Sequence, residues 1–474
     1  MISQELESLL RNHFPFHPTD EQQHAFTTFA QFLCEEQPTV LILKGAAGTG
    51  KTEVAAAFVR TLVSLQQKIM LLAPTGRAAK VFSLASSYPA YTIHRRIYRG
   101  QLDSPSRSSF QLNYAKMRDA VVFVDEASMI SNRGDFDAMF GSGQLLDDLV
   151  QYVFGGENCK LVLLGDWAQL PPVGEEQSPA LSRQVMEGYG VKVLEVRLSQ
   201  VLRQQAQSGI LFNATTVRNM LERDDDTLLP KVRFQGFADI VRVPGDELIE
   251  SLYTSYAEVG ADETIVVTRS NKRAGIYNNG IRGRVLGREE ELSSGDMLMV
   301  VRNNYFWAEK EKINLEFIAN GDRARVMRVR NQRELYGFHF ADITMQMPDY
   351  DDVELTCTVL LDTLQSEAPA LTAEQNEAFF HAVMEDYADL PTKTERMEHM
   401  RKDIYYNALQ IKYAYAVTCH KAQGGQWAHV YVDQGYMTDD MLTPDYLHWL
   451  YTAFTRATEK LFLVNWPEKQ IEQP

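Results

Sequence analysis

Residues Gly45 to Thr52 read G-A-A-G-T-G-K-T, a full G-x-x-x-x-G-K-[ST] phosphate-binding loop. Glycines at Gly45, Gly48 and Gly50 allow positive φ and a close approach of backbone to phosphate. Thr49 lies in the same cradle, Lys51 can reach the outer phosphates of a nucleotide, and the Thr52 hydroxyl can ligate Mg²⁺. Two adjacent carboxylates follow later, Asp125 and Glu126. Asp125 is placed to hold Mg²⁺, and Glu126 to orient and deprotonate an attacking water. Gln169, in Gly165-Asp166-Trp167-Ala168-Gln169, can sense the terminal phosphate or the water, and Arg203 can reach the nucleotide. The chemistry is phosphoryl transfer. A chance glycine-rich turn or a plain acidic turn explains either element alone, but not both in one chain.

These residues need elements to position them. The apolar run Thr39 to Lys44 reads as a buried strand before the loop, and Glu53 to Val59 as a helix after it, whose N-terminal N–H groups favour an anion. Lys68 to Ala73, Ala120 to Val124 and Lys160 to Leu164 read as further strands. Their alternation with helical segments argues a parallel sheet covered on both faces. Residues Met1 to Pro38 read as mostly helical, with Thr19 as an N-cap. Gln22 in that helix start can read both edges of an adenine, since an amide donates and accepts, and it equally suits a solvated helix start. Pro74 to Lys80 is a polar loop opening a helix, with Thr75 and Arg77 suited to a phosphate backbone. Tyr98 to Met117 is polar, serine-rich and aperiodic, an exposed excursion of hairpin type. A second α/β pattern starts after the acidic turn at Asp224, with a strand from Glu263 to Thr268 leading to Asn271. It resumes at Ala414 and closes with Lys460 to Val464. Between its parts, Ala324 to Thr358 alternates like an antiparallel β module, and Leu371 to Leu409 turns helical and charged.

The chain of 474 residues is too long for one core. Its formal net charge is −16 and its pI about 5.2, which taken alone argues against a nucleic-acid partner. Charge acts locally, however, because fields beyond about 10 Å are screened at 0.1 M salt. Basic residues cluster at Arg95, Arg96 and Arg99, at Arg269, Lys272 and Arg273, and from Arg323 to Arg330. The acidic residues concentrate elsewhere. Cys34, Cys159, Cys357 and Cys419 show no pairing or metal-ligand spacing. With no secretory signal and no bilayer-length apolar run, the expectation is a reduced, cytoplasmic protein with no membrane partner.

In order, these segments resemble the superfamily 1B helicases, the RecD-like and Dda-like group of Pif type, from Gln22 to Arg456. The resemblance implies a fold of two RecA-like P-loop NTPase cores with a small inserted β-barrel (SH3-like) module and a short pin hairpin. The expected boundaries are 1–208 for the first core, with the pin at 98–117, then 209–330 and 408–474 for the second, with the insertion at 331–407. It implies ATP and Mg²⁺ as cofactors, and 5′-to-3′ movement on single-stranded DNA that unwinds duplex at a single-strand/duplex junction, by a monomer. Gln22 matches the adenine reader, and Arg203 with Arg456 the two arginines that complete the site from the cleft. Thr75, Arg77 and His94 match strand-contacting segments. Thr418, His420, Lys421 and Gly424 lie in the motif coupling DNA to ATP; the first three are expected on DNA and Gly424 at the nucleotide. Thr268 and Asn271 are further expected DNA contacts, and Phe110 the stacking residue of the pin, with Tyr98 and Tyr114 behind it. Two rivals remain. A nucleotide or small-molecule kinase would have one core, against which the second α/β pattern and Arg456 speak. A remodelling ATPase without unwinding, or an enzyme acting on RNA, is not separated by sequence.

Overall fold

The computed structural model describes residues 2–472 apart from 101–109, 115–116, 135–140, 202–206, 224–228, 312–314, 316 and 439–440, and only the backbone of Ile2, Gly100 and Phe110. Two helices, α1 (Ile2–His13) and α2 (Asp20–Cys34), lead into strand β1 (Thr39–Gly45), helix α3 (Lys51–Ser64), β2 (Lys68–Ala73) and helix α4 (Gly76–Ser86). The first core then adds β3 (Ala90–Thr92), the hairpin strands β4 (Tyr98–Gly100) and β5 (Phe110–Leu112), and β6 (Ala120–Val124), β7 (Lys160–Gly165) and β8 (Lys192–Leu198). Its sheet has the order β3-β2-β6-β7-β1-β8, all parallel. Helices cover both faces, so its central strands read as continuous apolar runs. Leu41 and Leu43 face a phenylalanine stack in which the rings of Phe29 and Phe58 lie 3.9 Å apart. A capping box fixes the start of α2: the Gln22 N–H donates to Thr19 Oγ1, and the Thr19 N–H to Gln22 Oε1.

The second core is a smaller parallel sheet. Its strands are β9 (Ile240–Val243) and β10 (Thr264–Thr268), and after an insertion β16 (Ala416–Thr418), β17 (Trp427–Asp433) and β18 (Ala457–Val464), in the order β16-β10-β17-β18-β9. The helix Gly209–Arg223 packs on it through Ile210, Ala214 and Val217. The insertion is a closed barrel of β11 (Met297–Val300), β12 (Arg323–Leu335), β13 (Phe338–Met347), β14 (Val353–Leu360) and β15 (Leu409–Tyr413). It therefore reaches beyond the 331–407 segment expected from the sequence at both ends. Closure requires the first strand to pair with the last, Leu298 opposite Tyr413. Both strands are short, and β11 is uniformly apolar, without the period-2 alternation that reveals β12 to β14. The helices Ala373–Glu385 and Lys393–Lys402 sit against the barrel through Phe379, Val383 and Met400.

The excursion between 98 and 117 contains a two-stranded antiparallel hairpin, with Tyr98 opposite Leu112 and Gly100 opposite Phe110. Its tip falls outside the described residues. No helix among the described residues is long and apolar enough to cross a membrane, and all four cysteines are free.

Candidate nucleotide site and polynucleotide face

In the first sheet β1, β7 and β6 are neighbours and parallel, so the chain segments leaving their C-terminal ends meet at one edge. The segment after β1 is the phosphate loop. Gly48 and Gly50 have φ of 76° and 78°, a conformation that side-chain-bearing residues avoid. Gly45, expected to share that conformation, does not have positive φ; a Cβ there would instead meet Lys51 Cβ at 2.8 Å. Thr49 Oγ1 donates to the Ala46 carbonyl at 2.7 Å, and Gln22 Nε2 donates to the Thr49 carbonyl at 3.0 Å. Gln22 is buried and its Oε1 is held by the Thr19 N–H, so both ends of its amide are engaged within the protein. Thr52, half-buried, lies in the first turn of α3.

After β6, Asp125 accepts the Glu126 N–H at 2.8 Å and faces Lys51, Nζ to Oδ1, at 3.6 Å. Burial opposes the Lys51 charge, yet Asp125, Glu126 and Asp166 outweigh it and raise its pKa. Burial raises Asp125, against Lys51 and the Glu126 N–H. Glu126 sits at φ 51°, ψ 37° in the left-handed region, a conformation that costs roughly 1–3 kcal/mol in a non-glycine residue and collects at functional sites. It turns the side chain inward, where Oε2 is buried without a hydrogen-bond partner. After β7, Asp166 is buried and Gln169 Oε1 is also buried without a partner. The glycine cradle at the N-terminus of α3 and these two orphaned oxygens fit a bound nucleotide with its water, and Asp125 with Thr52 are the groups suited to a nucleotide-borne Mg²⁺.

The second core closes this edge with the helix Pro444–Phe454 and the turn after it. Arg456 is 2% exposed. Its guanidinium donates to the carbonyls of Thr452 at 3.1 Å and Gly425 at 3.0 Å, and its charge is felt at Lys51. Arg203 lies outside the described residues. Trp167, for which the sequence offered no role, packs against the apolar clusters of both cores, with Arg197 4.8 Å above its ring.

The residues expected on a polynucleotide are arranged differently. Thr75 caps its own helix, accepting the Ala78 N–H at 3.3 Å. Arg77 crosses to the second core, donating to the Gln426 carbonyl with its guanidinium 4.3 Å above Trp427. Burial and Arg323 lower its pKa to about 10, so it stays charged. Lys80 donates to the Pro348 carbonyl at the barrel's rim, and a Cβ on Gly76 would meet Tyr350 Cζ at 2.6 Å. Gly424, at φ 70°, lies against Thr75, which caps α4, and Ala78 within it. Thr268 is fully buried, its hydroxyl donating to the Ser270 carbonyl at 3.1 Å, so it is not presented to a ligand. Asn271 and Thr418 are half-buried, and His420 is exposed. Partial desolvation by neighbouring groups lowers half-buried Lys421 and, although its side chain reaches solvent, His420. Burial also lowers His94 to about 4, so its half-buried ring, 5.7 Å from that of Tyr98, is neutral at pH 7. Phe110 stands in the second hairpin strand by its backbone; its side chain lies outside the described residues. Tyr98 is buried, donating to Asp148 Oδ2 at 2.7 Å, which removes it as a stacking residue. Tyr114 is 82% exposed. Residues the sequence reading left unassigned are Tyr451, Thr452 and His448, all on the helix that leads to Arg456. The only signal for Tyr451 is its place five residues before that arginine.

Residues 18–227 match the family model described as AAA domain, and 413–464 the model described as UvrD-like helicase C-terminal domain. An uncharacterised protein of Acanthamoeba polyphaga mimivirus is 23% identical over 93% of this chain and 98% of that protein. The ATP-dependent RecD2 DNA helicase of Deinococcus radiodurans is 29% identical over 38% of this chain and 23% of its own length. The ATP-dependent DNA helicase Dda of Enterobacteria phage T4 is 25% identical over 60% of each. The chain thus spans under two thirds of the two relatives named for an activity.

Proposed function

We propose that this chain, which belongs to the ATP-hydrolysing superfamily 1B DNA helicases of Pif type, moves 5′ to 3′ along single-stranded DNA and unwinds duplex ahead of it. The observation that carries this reading is the meeting of Lys51, Asp125, Glu126 and Asp166 at one sheet edge, under a helix from the second core. Lys51 holds the outer phosphates, Thr52 and Asp125 hold Mg²⁺, Glu126 takes the proton of the attacking water, and Gln169 orients that water. Arg456 and Arg203 stabilise charge on the phosphoryl group as the cores close. Mg²⁺, when bound with the nucleotide, neutralises charge between its outer phosphates. Closing and opening of the cleft then shifts a strand lying over the C-terminal ends of both sheets, where Asn271, Thr418, His420 and Lys421 stand. Opening one base-pair step costs on average about 1.4 kcal/mol, which one modest conformational step can supply. The β4–β5 hairpin serves as the pin, with Phe110 in its strand and Tyr114 exposed beside Arg99.

The test is unwinding of duplexes carrying either a 5′ or a 3′ single-stranded tail. Strand release should require the 5′ tail. Efficient release from a 3′ tail alone reverses the direction, and single-strand-stimulated ATP hydrolysis without strand release makes the chain a remodelling ATPase. An RNA tail that outperforms DNA moves the substrate.

A further inference from the structure

The helix Pro444–Phe454 does more than lead to Arg456. It holds the first core's loop from Asp166 to Leu170 at three points. His448 Nδ1 pairs with the Ala168 carbonyl at 2.9 Å, and the Leu170 N–H donates to Thr452 Oγ1 at 2.7 Å. Gln423 Nε2, also from the second core, donates to the Leu170 carbonyl at 2.6 Å. Gln169 therefore sits in a loop fixed on both sides by the opposite core, while its own Oε1 is left unpaired. Tyr451 reaches furthest. Its hydroxyl donates to Asp166 Oδ2 at 2.6 Å and accepts the N–H of Ala47, in the phosphate loop, at 2.9 Å.

The side chain is 1% exposed. Burial and the neighbouring Asp166 hold the phenol far above its ordinary pKa, so at neutral pH it carries its single proton. That proton goes to the carboxylate and a lone pair takes the amide, and no other assignment satisfies both partners. Phenylalanine would keep the packing but leave the Ala47 N–H and Asp166 Oδ2 without this link. The two loops would then be registered to each other only through their own backbones. A misplacement of reacting groups by about 1 Å can cost about 10²-fold in rate.

We propose that Tyr451 is a positioning residue for ATP hydrolysis: one hydroxyl from the second core sets the phosphate loop and the Asp166–Leu170 loop in register, so the water-orienting side of the site is complete only when the cores are together. This rests on the reading of the chain as an ATP-hydrolysing helicase. Tyr451 touches the loop and the carboxylate, not a base, so its loss falls on turnover and not on nucleotide capture.

The test uses the full chain with saturating single-stranded oligonucleotide. Tyr451→Phe should lower kcat for ATP at least about tenfold, with KM and the Kd of a fluorescent ADP analogue changed less than about threefold. Retention of kcat within twofold, or a raised KM at unchanged kcat, overturns the proposal. Should the phenylalanine chain fail to fold, 4-fluorophenylalanine at position 451, which fills the space of the hydroxyl but donates no hydrogen bond, should show the same loss of kcat, and kcat within twofold of wild type overturns the proposal. A wild-type chain that hydrolyses no ATP removes the underlying reading, an outcome distinct from a Tyr451 variant that works as well as wild type.

Discussion

At the cleft, the first core leaves polar atoms without partners: Glu126 Oε2 and Gln169 Oε1 are buried and unbonded, and Lys51 lies in the field of three carboxylates. Along α4, a helix away on the same core, comparable groups are taken. Thr75 is tied to Ala78, Arg77 to Gln426 and Trp427, Lys80 to Pro348, and Gly76 lies under Tyr350. A buried polar atom without a partner costs roughly 1–3 kcal/mol, and such an atom persists where a ligand is to restore the bond. The α4 side chains themselves carry no such deficit, although Trp427 Nε1 and Arg323 Nε across from them are buried without a partner. A strand binding there competes with contacts from the barrel and the second core, so its affinity is the difference between two sets of bonds. The cleft is a site prepared for its ligand; the α4 face is an interface a ligand has to reopen.

The largest expected effects break the cleft. Lys51→Ala removes the cation set among Asp125, Glu126 and Asp166, and ATP turnover should fall at least about 10³-fold. Glu126→Gln keeps shape and burial but cannot take a proton. It should bind ATP and DNA normally and hydrolyse about 10²- to 10⁴-fold more slowly. Steady-state turnover alongside nucleotide binding checks both, and turnover within a few-fold of wild type in either would make these residues scaffold.

Arg456→Ala comes next. Loss of such an arginine costs about 10³ to 10⁵ in rate, with nucleotide affinity largely intact. The guanidinium also ties Thr452 to Gly425, so a melting curve must accompany the kinetics. If affinity falls while bound ATP still turns over in a single-turnover experiment, Arg456 only holds the end of its helix.

The cleft was legible in the sequence because its parts are contiguous: a glycine-rich loop, a pair of acids and a glutamine each follow an apolar strand, and parallel strands bring such segments to one edge. The two-core pattern was legible for the same reason. The barrel's outer strands were not, because β11 and β15 are short and more than a hundred residues apart, and only closure makes them partners. Nor was the engagement of Arg77 and Lys80 legible. Their partners are backbone carbonyls of Gln426 and Pro348, which carry no sequence signature. Tyr98 failed as a stacking candidate because its partner, Asp148, lies fifty residues on.

A pH experiment sharpens the comparison from the α4 side. Tyr350, which covers Gly76, donates to Asp322 Oδ1 at 2.8 Å, and Asp322 is 5% exposed. Burial pushes the Asp322 carboxyl up to about 7 from 3.8. A carboxyl raised on folding is held protonated by the native state, which therefore carries more protons than the unfolded chain between about pH 4 and pH 7. Its contribution to stability is present at low pH, declines as pH rises through that window, and is flat above it. Asp322→Asn, with the amide oxygen on the Ala319 N–H and the amide nitrogen on Tyr350, has no such decline. Relative to wild type it should gain on the order of 1–3 kcal/mol between pH 5 and pH 8, read from denaturant unfolding at each pH. Parallel wild-type and variant profiles would mean that the carboxyl is solvated and the Tyr350 contact is loose.

The smallest effect concerns the residue on which sequence and structure offer different readings. An exposed Gln22 would read adenine, since an amide can both donate and accept. In the structure Nε2 is bound to the Thr49 carbonyl at 3.0 Å and Oε1 to the Thr19 N–H at 3.0 Å, with the side chain 1% exposed. Gln22 then acts on the phosphate loop from behind: it fixes the carbonyl just before Gly50, whose φ of 78° opens α3. Gln22→Ala removes one bond of the capping box and one brace on the loop, and should lower stability by about 1–2 kcal/mol. ATP affinity should weaken a few-fold, and GTP affinity should weaken equally, because a loop brace acts on phosphates that both nucleotides share. The ratio of the two affinities is the deciding number. An unchanged ratio keeps Gln22 with the scaffold of the loop. A ratio that collapses towards one assigns the amide to the base, and requires it to leave Thr49 when a nucleotide enters.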